Sequence, residues 1–461
     1  MPNPVDDRSL TEVLAYYDTW LAFNQRYQRV PGVQAAVYAG ERVAFSSAYG
    51  SADVEGGVAL TTDHLFRIAS HSKTFTATAV LQLVEQGRLR LDDKASAHVT
   101  EIVGTPLGDR TLRDLLSHAG GVTRDSLEAD FWQLATPFPD REHLLAVLRA
   151  DTSAVLEDND RFKYSNIGFG LLGLVIEAVT GTSYNEHVQT AVVNKLGLAG
   201  LGPELDPARS TEYAVGYSAY AYADQRVPIE HVDTRALAAA TGFYGTAHDL
   251  VSYWSAHLMG DERLLSDASK RQMQHGLWRT MEEDGPKYGL GLMINQVAKR
   301  DVFGHGGGYP GHITRSMVDA ERRIAVAVLT NAIDGPAAQL AEGVLKLIDL
   351  AVSKERGEGD LARFTGRFAN LWGVMDIALL GGRLYQIDPT GADPTAEPTE
   401  LSPSGDSAVR VTSGSGYGGF GEDLRFEFDA DGKVAEVRGA SGLVSRPIEQ
   451  YSLPEKVTAV R

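Results

Sequence analysis

One stretch of the sequence, Phe66–Phe75, constrains the chain more than any other. It joins a short apolar run to a long helical pattern, and it places Ser70 and Lys73 three residues apart. If a helix begins near Ser70, the two side chains lie on one face, and the hydroxyl sits where free backbone N–H groups favour a developing negative charge. A lysine that is shielded there by apolar neighbours can lose its proton near neutral pH and activate the serine.

The same pattern has a plain structural interpretation, in which Ser70 caps a helix and Lys73 is a solvated surface residue. A Ser-x-x-Lys spacing arises by chance about once or twice in a chain of this length. The flanking residues favour the chemical interpretation, because residues 74–86 carry apolar side chains nearly all round the helix and Gly87 can end it. A lysine at the start of such a buried helix is hard to explain as a surface residue.

Composition limits the classes of partner. The 461 residues have room for two domains, and 43% hydrophobic with 23% charged residues is ordinary for a soluble globular protein. The formal net charge of −18 argues against nucleic acid and against an anionic membrane surface as partners. The absence of Cys excludes disulfides, thiol catalysis and Cys-ligated metals. With no signal-peptide pattern at the start and no uncharged apolar run of spanning length, we expect a cytoplasmic protein.

The order of helical and strand patterns indicates one large mixed domain. The patterns that carry this prediction are a helix over 9–29, a hairpin of Val33–Ala39 and Arg42–Tyr49, a strand over Tyr288–Val297, two strands at Ile313–Asp319 and Ile324–Thr330, and a helix over 336–352. Residues near 90–260 between them look all-helical. We therefore predict an α/β (α+β) domain over residues 1–357, with a mixed, mainly antiparallel sheet flanked by helices and an all-helical subdomain.

Beyond the charged run Lys354–Asp360 the pattern changes to short β segments separated by Gly, Pro, Asp and Ser turns. These segments are Leu371–Leu380, Arg383–Ile387, Ala408–Thr412, Leu424–Phe428 and Val434–Val437. They predict a small C-terminal all-β barrel or sandwich over residues 358–461. Gly416–Gly421 matches Gly-x-Gly-x-x-Gly by letter, but no helix follows it, which excludes a dinucleotide site.

Two more pieces carry polar residues in informative places. Tyr164 and Asn166 come directly before a second helix that is apolar all round, and His305-Gly306-Gly307 lies between strand patterns. Taken alone, Tyr164 and Asn166 are more simply a core aromatic and a capping amide. These residues indicate a catalytic site only when they are considered together with Ser70 and Lys73.

In order and rough spacing, the three pieces resemble the signature elements of the penicillin-recognising serine hydrolases. The closest resemblance is to the class C β-lactamase-like branch, which includes D-alanyl-D-alanine carboxypeptidases, D-aminopeptidases and family VIII esterases. Leu115–Gly121 also looks like the leucine-rich helix and glycine turn of that branch. The resemblance covers most of residues 30–350 and implies the β-lactamase/transpeptidase-like fold.

The resemblance implies a role for each matching residue. Ser70 is then the nucleophile that forms an acyl-enzyme, and Lys73 shares its proton. Tyr164 is the second base, which passes a proton to the leaving group, and Asn166 orients Lys73 and the substrate. The backbone N–H groups of Ser70 and Gly308 would form the oxyanion hole, which attack on a carbonyl requires.

The third element departs from the β-lactamase pattern. True β-lactamases and most DD-peptidases carry Lys-Thr/Ser-Gly there, which helps to hold the substrate carboxylate, whereas this chain has His305-Gly306-Gly307. We count His305 with the catalytic residues and expect Gly306 and Gly307 to let the substrate approach closely. Because a histidine is a weaker and pH-dependent cation, we expect poor β-lactam hydrolysis. The structural alternative is a histidine that caps a glycine turn.

These observations favour a serine hydrolase that cleaves small esters or amides, with peptides that contain D-residues as one substrate class. The alternative is acyl transfer to an amine, as in a transpeptidase or peptide cyclase; a non-catalytic binding relative or a true β-lactamase is favoured less. The sequence has no Gly-x-Ser-x-Gly elbow and no His-Glu-x-x-His helix, which argues against an α/β-hydrolase and against a zinc metalloprotease. We expect a small-molecule or short-peptide substrate, with no cofactor and no metal.

Overall fold

The computed structural model describes residues 5–281, 285–414 and 418–457. It divides into two compact units, one formed by Val30–Ala341 and the other by Met1–Arg29 together with Glu342–Arg461. The N-terminal helix is therefore grouped with the C-terminal residues. The domain boundary between residues 357 and 358 stays a prediction.

The long helices are α2 and α5, which are buried along most of their length, and α1 and α10, which begin and end the first predicted domain. The α-helices among the described residues are α1 (Asp7–Tyr27), α2 (Ser72–Glu85), α3 (Leu112–Leu116), α4 (Arg141–Arg149), α5 (Asn166–Thr180), α6 (Tyr184–Val188), α7 (Ala238–Thr241), α8 (Ala247–Ser255), α9 (Asp267–Met273) and α10 (Ala337–Val352). Gly181, with φ of 75°, ends α5 in the left-handed conformation that glycine adopts without strain.

The strands of the Val30–Ala341 unit fall into one large sheet and two small ones. They are β1 (Gly32–Ala39), β2 (Arg42–Asp53), β3 (Val58–Ala59), β4 (Phe66–Arg67), β5 (Leu201–Gly202), β6 (Gly216–Tyr217), β7 (Pro228–Ile229), β8 (Tyr244–Gly245), β9 (Trp278–Arg279), β10 (Lys287–Tyr288), β11 (Met293–Val297), β12 (Arg300–Tyr309), β13 (His312–Asp319) and β14 (Ile324–Thr330).

In the described residues the large sheet has nine strands in the order β3-β2-β1-β14-β13-β12-β11-β10-β9, and its pairings are antiparallel. Strand β1 pairs with β14 so that Val33 lies opposite Thr330, which joins the first hairpin to the last strands of the unit. The predicted sheet from both ends of the domain is confirmed. The single strand predicted over Tyr288–Val297 is wrong, because Gly291, at φ of 73°, lies in a turn between β10 and β11.

The segment between the two halves of the sheet is mainly helical and forms the large apolar core with α2 and α5. It also contains the small sheets β4-β8-β5 and β6-β7, which are too short for the sequence pattern to show. Among the described residues, no single helix combines the length and apolar composition needed to cross a membrane. The bent pair Asn166–Thr180 and Tyr184–Asn194, broken by 78°, passes that test only when taken together.

The second unit contains a closed antiparallel barrel, which decides between the predicted barrel and sandwich. Its strands in order are β15 (Gly366–Asn370), β16 (Gly373–Leu380), β17 (Arg383–Ile387), β18 (Thr399–Gly405), β19 (Ala408–Val411), β20 (Asp423–Phe428), β21 (Val434–Arg438) and β22 (Val444–Pro447). Aromatic and branched side chains, among them Phe368, Leu384 and Phe426, fill its interior. Residues 416 and 417 of the rejected glycine motif lie outside the described residues.

One predicted barrel strand, Leu371–Leu380, is wrong in its bounds. Leu371 and Trp372 form the turn between β15 and β16, and Trp372 is 84% exposed. Within the same unit, α1 is held to the barrel by Asp376, which accepts a hydrogen bond from Tyr16 at 3.0 Å and two from Arg367 at 2.7 Å. Asp376 is fully buried, so its charge needs these partners.

Candidate active site

Ser70 lies in a 3₁₀ turn, Ala69–His71, that leads directly into α2. Ala69, the residue before it, has φ of 48°, a left-handed conformation that costs energy for a residue with a side chain. The hydroxyl of Ser72 donates to the carbonyl of Ala69 at 2.6 Å and accepts from the backbone N–H of Phe243 at 2.9 Å, which stabilises this turn. Ser70 therefore lies at the N-terminal end of a buried helix, as the sequence predicts.

Lys73 is fully buried and its Nζ has three neighbours. It donates to Asn166 Oδ1 at 2.7 Å and to the carbonyl of Ala240 at 2.9 Å, and it lies 3.2 Å from Ser70 Oγ. Burial is the largest influence on this amine and lowers its pKa well below the usual range. A neutral amine has two N–H donors and one lone pair. In that form Asn166 and Ala240 accept from the two N–H donors, and the lone pair can accept from the hydroxyl of Ser70.

Tyr164 completes the surroundings of Ser70. Its hydroxyl donates to Ser70 Oγ at 2.8 Å, and the Lys73 Nζ lies 4.7 Å from the centre of its ring. Burial raises the pKa of Tyr164 above its usual value, so the phenol keeps its proton at neutral pH. The three groups form a directed chain in which Tyr164 donates to Ser70 and Ser70 can donate to Lys73.

Asn166 is the first residue of α5, but it does not cap the helix. Ser165 is the cap, since its hydroxyl accepts from the backbone N–H of Gly168 at 2.9 Å. The Asn166 side chain instead joins Lys73 to Asp125, whose Oδ1 accepts from Asn166 Nδ2 at 2.6 Å. The structural alternative of a capping amide is therefore wrong for Asn166.

His305 is buried on β12, and both ring nitrogens have partners. Nδ1 lies 2.6 Å from the carbonyl of Gly306, and Nε2 lies 3.0 Å from the hydroxyl of Tyr288. Since a carbonyl can only accept, Nδ1 carries the proton and Nε2 accepts from Tyr288. Burial lowers the pKa of His305 well below its usual value. The ring is neutral, so the expected pH-dependent cation is not formed near neutral pH.

The glycines after His305 differ in how much space they have. A Cβ on Gly307 would lie 2.1 Å from the carbonyl oxygen of Ile68, two residues before Ser70. A Cβ on Gly308 would contact the side chain of Ile313 at 3.6 Å. A Cβ on Gly306 would have the Arg315 guanidinium as its nearest neighbour, at 3.3 Å. Gly307 is thus required for β12 to run against the turn that carries Ser70. The roles of Gly306 in substrate binding and of Gly308 in the oxyanion hole stay predictions.

The structure adds residues that the sequence alone did not point to. Asp125 contacts Asn166, and the guanidinium of Arg124 lies 5.0 Å from the centre of the Tyr164 ring. His118 packs against Tyr164 and Tyr288 with ring centres 4.4 Å and 4.8 Å away, and its Nδ1 accepts from the backbone N–H of Ser165. The only sequence signal for Arg124 and Asp125 is their place just after the glycine turn at 120–121, where a charged pair is usually solvated.

Throughout residues 5–281, 285–414 and 418–457, no group of three or more His, Asp or Glu side chains is arranged to hold a metal ion. The polar groups around Ser70 are a lysine amine, a phenol and an amide. Such a set can move protons to and from a hydroxyl, and it offers a nucleophile to a carbonyl carbon.

Comparison with known proteins gives consistent results. The family model described as Beta-lactamase matches residues 21–348. Penicillin-binding protein 4* of Bacillus subtilis (strain 168) is 27% identical over 305 residues, which make up 63% of this chain and 66% of that protein. The chain thus spans slightly less than two-thirds of the length of this relative.

Two solved structures show the same fold. The octameric penicillin-binding protein homologue from Pyrococcus abyssi superposes with a TM-score of 0.66 at 23% identity, over 94% of this chain and 99% of that one. The D-amino acid amidase from Ochrobactrum anthropi SV3, complexed with L-phenylalanine amide, superposes with a TM-score of 0.63 at 23% identity, over 75% and 99%. At this identity the likeness concerns the fold alone.

Proposed function

The chain belongs to the beta-lactamase family, and from this premise we propose that it is a serine hydrolase that forms an acyl-enzyme on Ser70 and cleaves small esters or amides. The observation that carries the proposal is the position of Ser70 Oγ, 2.8 Å from the Tyr164 hydroxyl and 3.2 Å from Lys73 Nζ. A hydroxyl is a weak nucleophile until a neighbouring base takes its proton. A buried lysine with two acceptors and a free lone pair is such a base.

In the proposed acylation, Ser70 Oγ forms a bond to the carbonyl carbon while its proton moves to Lys73 Nζ. The carbonyl π electrons become an oxyanion, which the backbone N–H groups of Ser70 and Gly308 would stabilise. When the oxyanion collapses, the bond to the leaving group breaks and the leaving group takes the Tyr164 proton. The proton on Lys73 then returns to the tyrosinate, and water releases the acyl group in the same way.

The substrate class follows from the third element. Lysine at its first position would offer a cation to a substrate carboxylate, whereas His305 is neutral and its nitrogens are bound to Tyr288 and Gly306. We therefore propose esters or amides, including D-residue-containing peptides, rather than β-lactams as substrates. The solved D-amino acid amidase, whose fold this chain shares, supports amides as a class.

Mass spectrometry of the intact protein tests this function. The protein is exposed to p-nitrophenyl esters, D- and L-amino-acid amides and a β-lactam, and any adduct is mapped to a residue. We expect an acyl adduct on Ser70 with an ester or an amide, and none in Ser70→Ala. Ser252→Ala, which removes a serine whose hydroxyl donates to the His248 carbonyl in α8, should acylate like the wild type. Turnover that survives in Ser70→Ala would exclude the proposed nucleophile.

A further inference from the structure

Arg124 and Asp125 are adjacent residues of opposite charge in the loop after the glycine turn. Asp125 contacts Asn166, and the guanidinium of Arg124 faces the ring of Tyr164. We propose that Asp125 is a positioning residue, which holds the Asn166 amide with its oxygen toward Lys73, and that Arg124 and Asp125 together balance the charge on the proton path. The inference rests on the proposed function, since it concerns how readily Ser70 becomes a nucleophile.

The orientation of the Asn166 amide is decided by Asp125. A carboxylate only accepts hydrogen bonds, so the amide nitrogen must face Asp125 Oδ1, 2.6 Å away. The amide oxygen then faces Lys73 Nζ at 2.7 Å. If the amide turned over, an N–H group would face the amine and compete with Ser70 for its lone pair.

Asp125 is itself held in place. Its side chain is 10% exposed, and Trp132 Nε1 donates to the same Oδ1 at 3.0 Å. Arg124 Nε lies 3.1 Å from the other carboxylate oxygen. The loop is also fixed to the start of α5, because the carbonyl of Arg124 accepts the backbone N–H groups of Asn166 at 2.8 Å and Ile167 at 3.3 Å. A loop anchored in this way keeps the Asp125 carboxylate at a constant distance from the site.

The charges act on Lys73 in opposite directions. After burial, which lowers its pKa most, the Asp125 carboxylate raises the pKa of Lys73 and the Arg124 guanidinium lowers it. The other titratable groups that face the amine are neutral. Burial lowers the pKa of His118 and of His305 well below the usual value, and burial raises that of Tyr164. Asp125 and Arg124 are thus the charged side chains of the described residues through which the amine can be adjusted.

The test is the rate at which a fluorophosphonate labels Ser70, measured over the pH range in which the protein stays folded. In labelling, Ser70 Oγ forms a bond to phosphorus, fluoride leaves and the serine proton goes to Lys73. The rate therefore rises with pH as the amine loses its proton. Asp125→Asn keeps an oxygen that can accept from Asn166 but removes the charge, so its rise should move to lower pH by about one unit. Arg124→Gln removes the opposing charge, so its rise should move to higher pH.

Asp125→Ala removes both the charge and the acceptor, and its labelling rate should fall by about tenfold or more even at the pH where the amine is neutral. The matched control is Asp160 with Arg161, another adjacent pair whose Nε and Oδ2 lie 3.2 Å apart but whose side chains are exposed. Asp160→Asn and Arg161→Gln should leave the pH dependence unchanged.

Shifts in the same direction for Asp125→Asn and Arg124→Gln, or no shift in either, would overturn the inference while the proposed function stood. Absence of labelling at Ser70 in the wild type would instead overturn the proposed function. If Asp125→Asn does not fold, Arg124→Gln still tests the inference, because the Arg124 side chain is exposed to solvent. A labelling rate that rises at the same pH as in the wild type, or at a lower pH, contradicts the proposed balance of charges.

Discussion

Lys73 and Lys270 are both fully buried in the same unit, yet their surroundings differ in kind. Lys270 Nζ has three acceptors, the carbonyls of Leu258 and Asp261 and the carboxylate of Asp267 at 2.7 Å. These match the three N–H donors of an ammonium group. Lys73 has two acceptor oxygens and, as its third neighbour, the hydroxyl of Ser70.

We propose that this difference separates a buried lysine with a structural role from one that serves as a base. A buried ammonium needs a direct counter-charge, and Lys270 has one in Asp267. The carboxylate nearest to Lys73 in the hydrogen-bond network, Asp125, reaches it only through the amide of Asn166. Burial without a contacting anion favours the neutral amine, which is the form that can accept a proton from Ser70.

Replacing each lysine with methionine should give the largest difference between the two residues, in the acylation rate for Lys73 and in the free energy of unfolding for Lys270. Lys73→Met removes the base, so the rate of acylation should fall by roughly 10³-fold or more, measured with the ester or amide that acylates Ser70. Lys270→Met should keep the acylation rate and lower the free energy of unfolding by about 1–3 kcal/mol, because the buried carbonyl of Leu258 loses its donor. Urea unfolding of both variants gives the stabilities.

Lys73 is not a base if Lys73→Met acylates at the wild-type rate while its unfolding free energy falls as it does in Lys270→Met. Both lysines would then be structural. An acylation rate lost equally in both variants, with each still folded, would show that the contact pattern does not distinguish a base from a structural cation.

Much of the fold follows from local sequence patterns. The strand patterns of β1 and β2 on either side of the turn at Gly40-Glu41 and the apolar run on β14 predict the centre of the sheet, because a hairpin and a fully buried strand each leave a short-range signal. The sequence pattern does not predict β15, β18 and β22, since their Gly, Pro and Asn residues have low strand propensity and barrel closure compensates for it. The apolar pair Leu371-Trp372 looks like strand but forms an exposed turn, which only pairing in three dimensions shows.

The candidate site divides in the same way. Ser70 and Lys73 are three residues apart on one turn, and Tyr164 and Asn166 come at the start of one helix, so their spacing is visible in the sequence. Asp125 and Tyr288 join the site only because the fold brings a loop and a short strand to it. Their side chains have no local pattern that separates them from ordinary polar residues. Contacts of this kind depend on tertiary packing, which periodicity does not report.

Tyr164→Phe keeps the surroundings of Lys73 and removes only the donor to Ser70. The ring still packs on Lys73 and His118, but no hydroxyl remains to protonate the leaving group. We expect kcat to fall by about 10²–10⁴-fold with little change in KM. In the double variant with Lys73→Met, the loss should be close to that of Lys73→Met alone, because both groups serve one proton path. Steady-state kinetics of the three variants check this. Fully additive losses would show that Tyr164 and Lys73 act independently and not on one proton path.

His305→Gln gives the smallest expected effect and decides which group titrates. Activity that needs neutral Lys73 rises as the pH rises through the pKa of that amine, which burial lowers. His305 is already neutral, since burial lowers its pKa well below the usual value, so its replacement cannot remove a titration near neutral pH. We expect kcat/KM to fall by less than about tenfold and the pH of its rise to stay in place. If instead the rise moves or disappears in His305→Gln, the proton that limits activity is on His305, and the distinction drawn from the two lysines no longer accounts for the pH dependence.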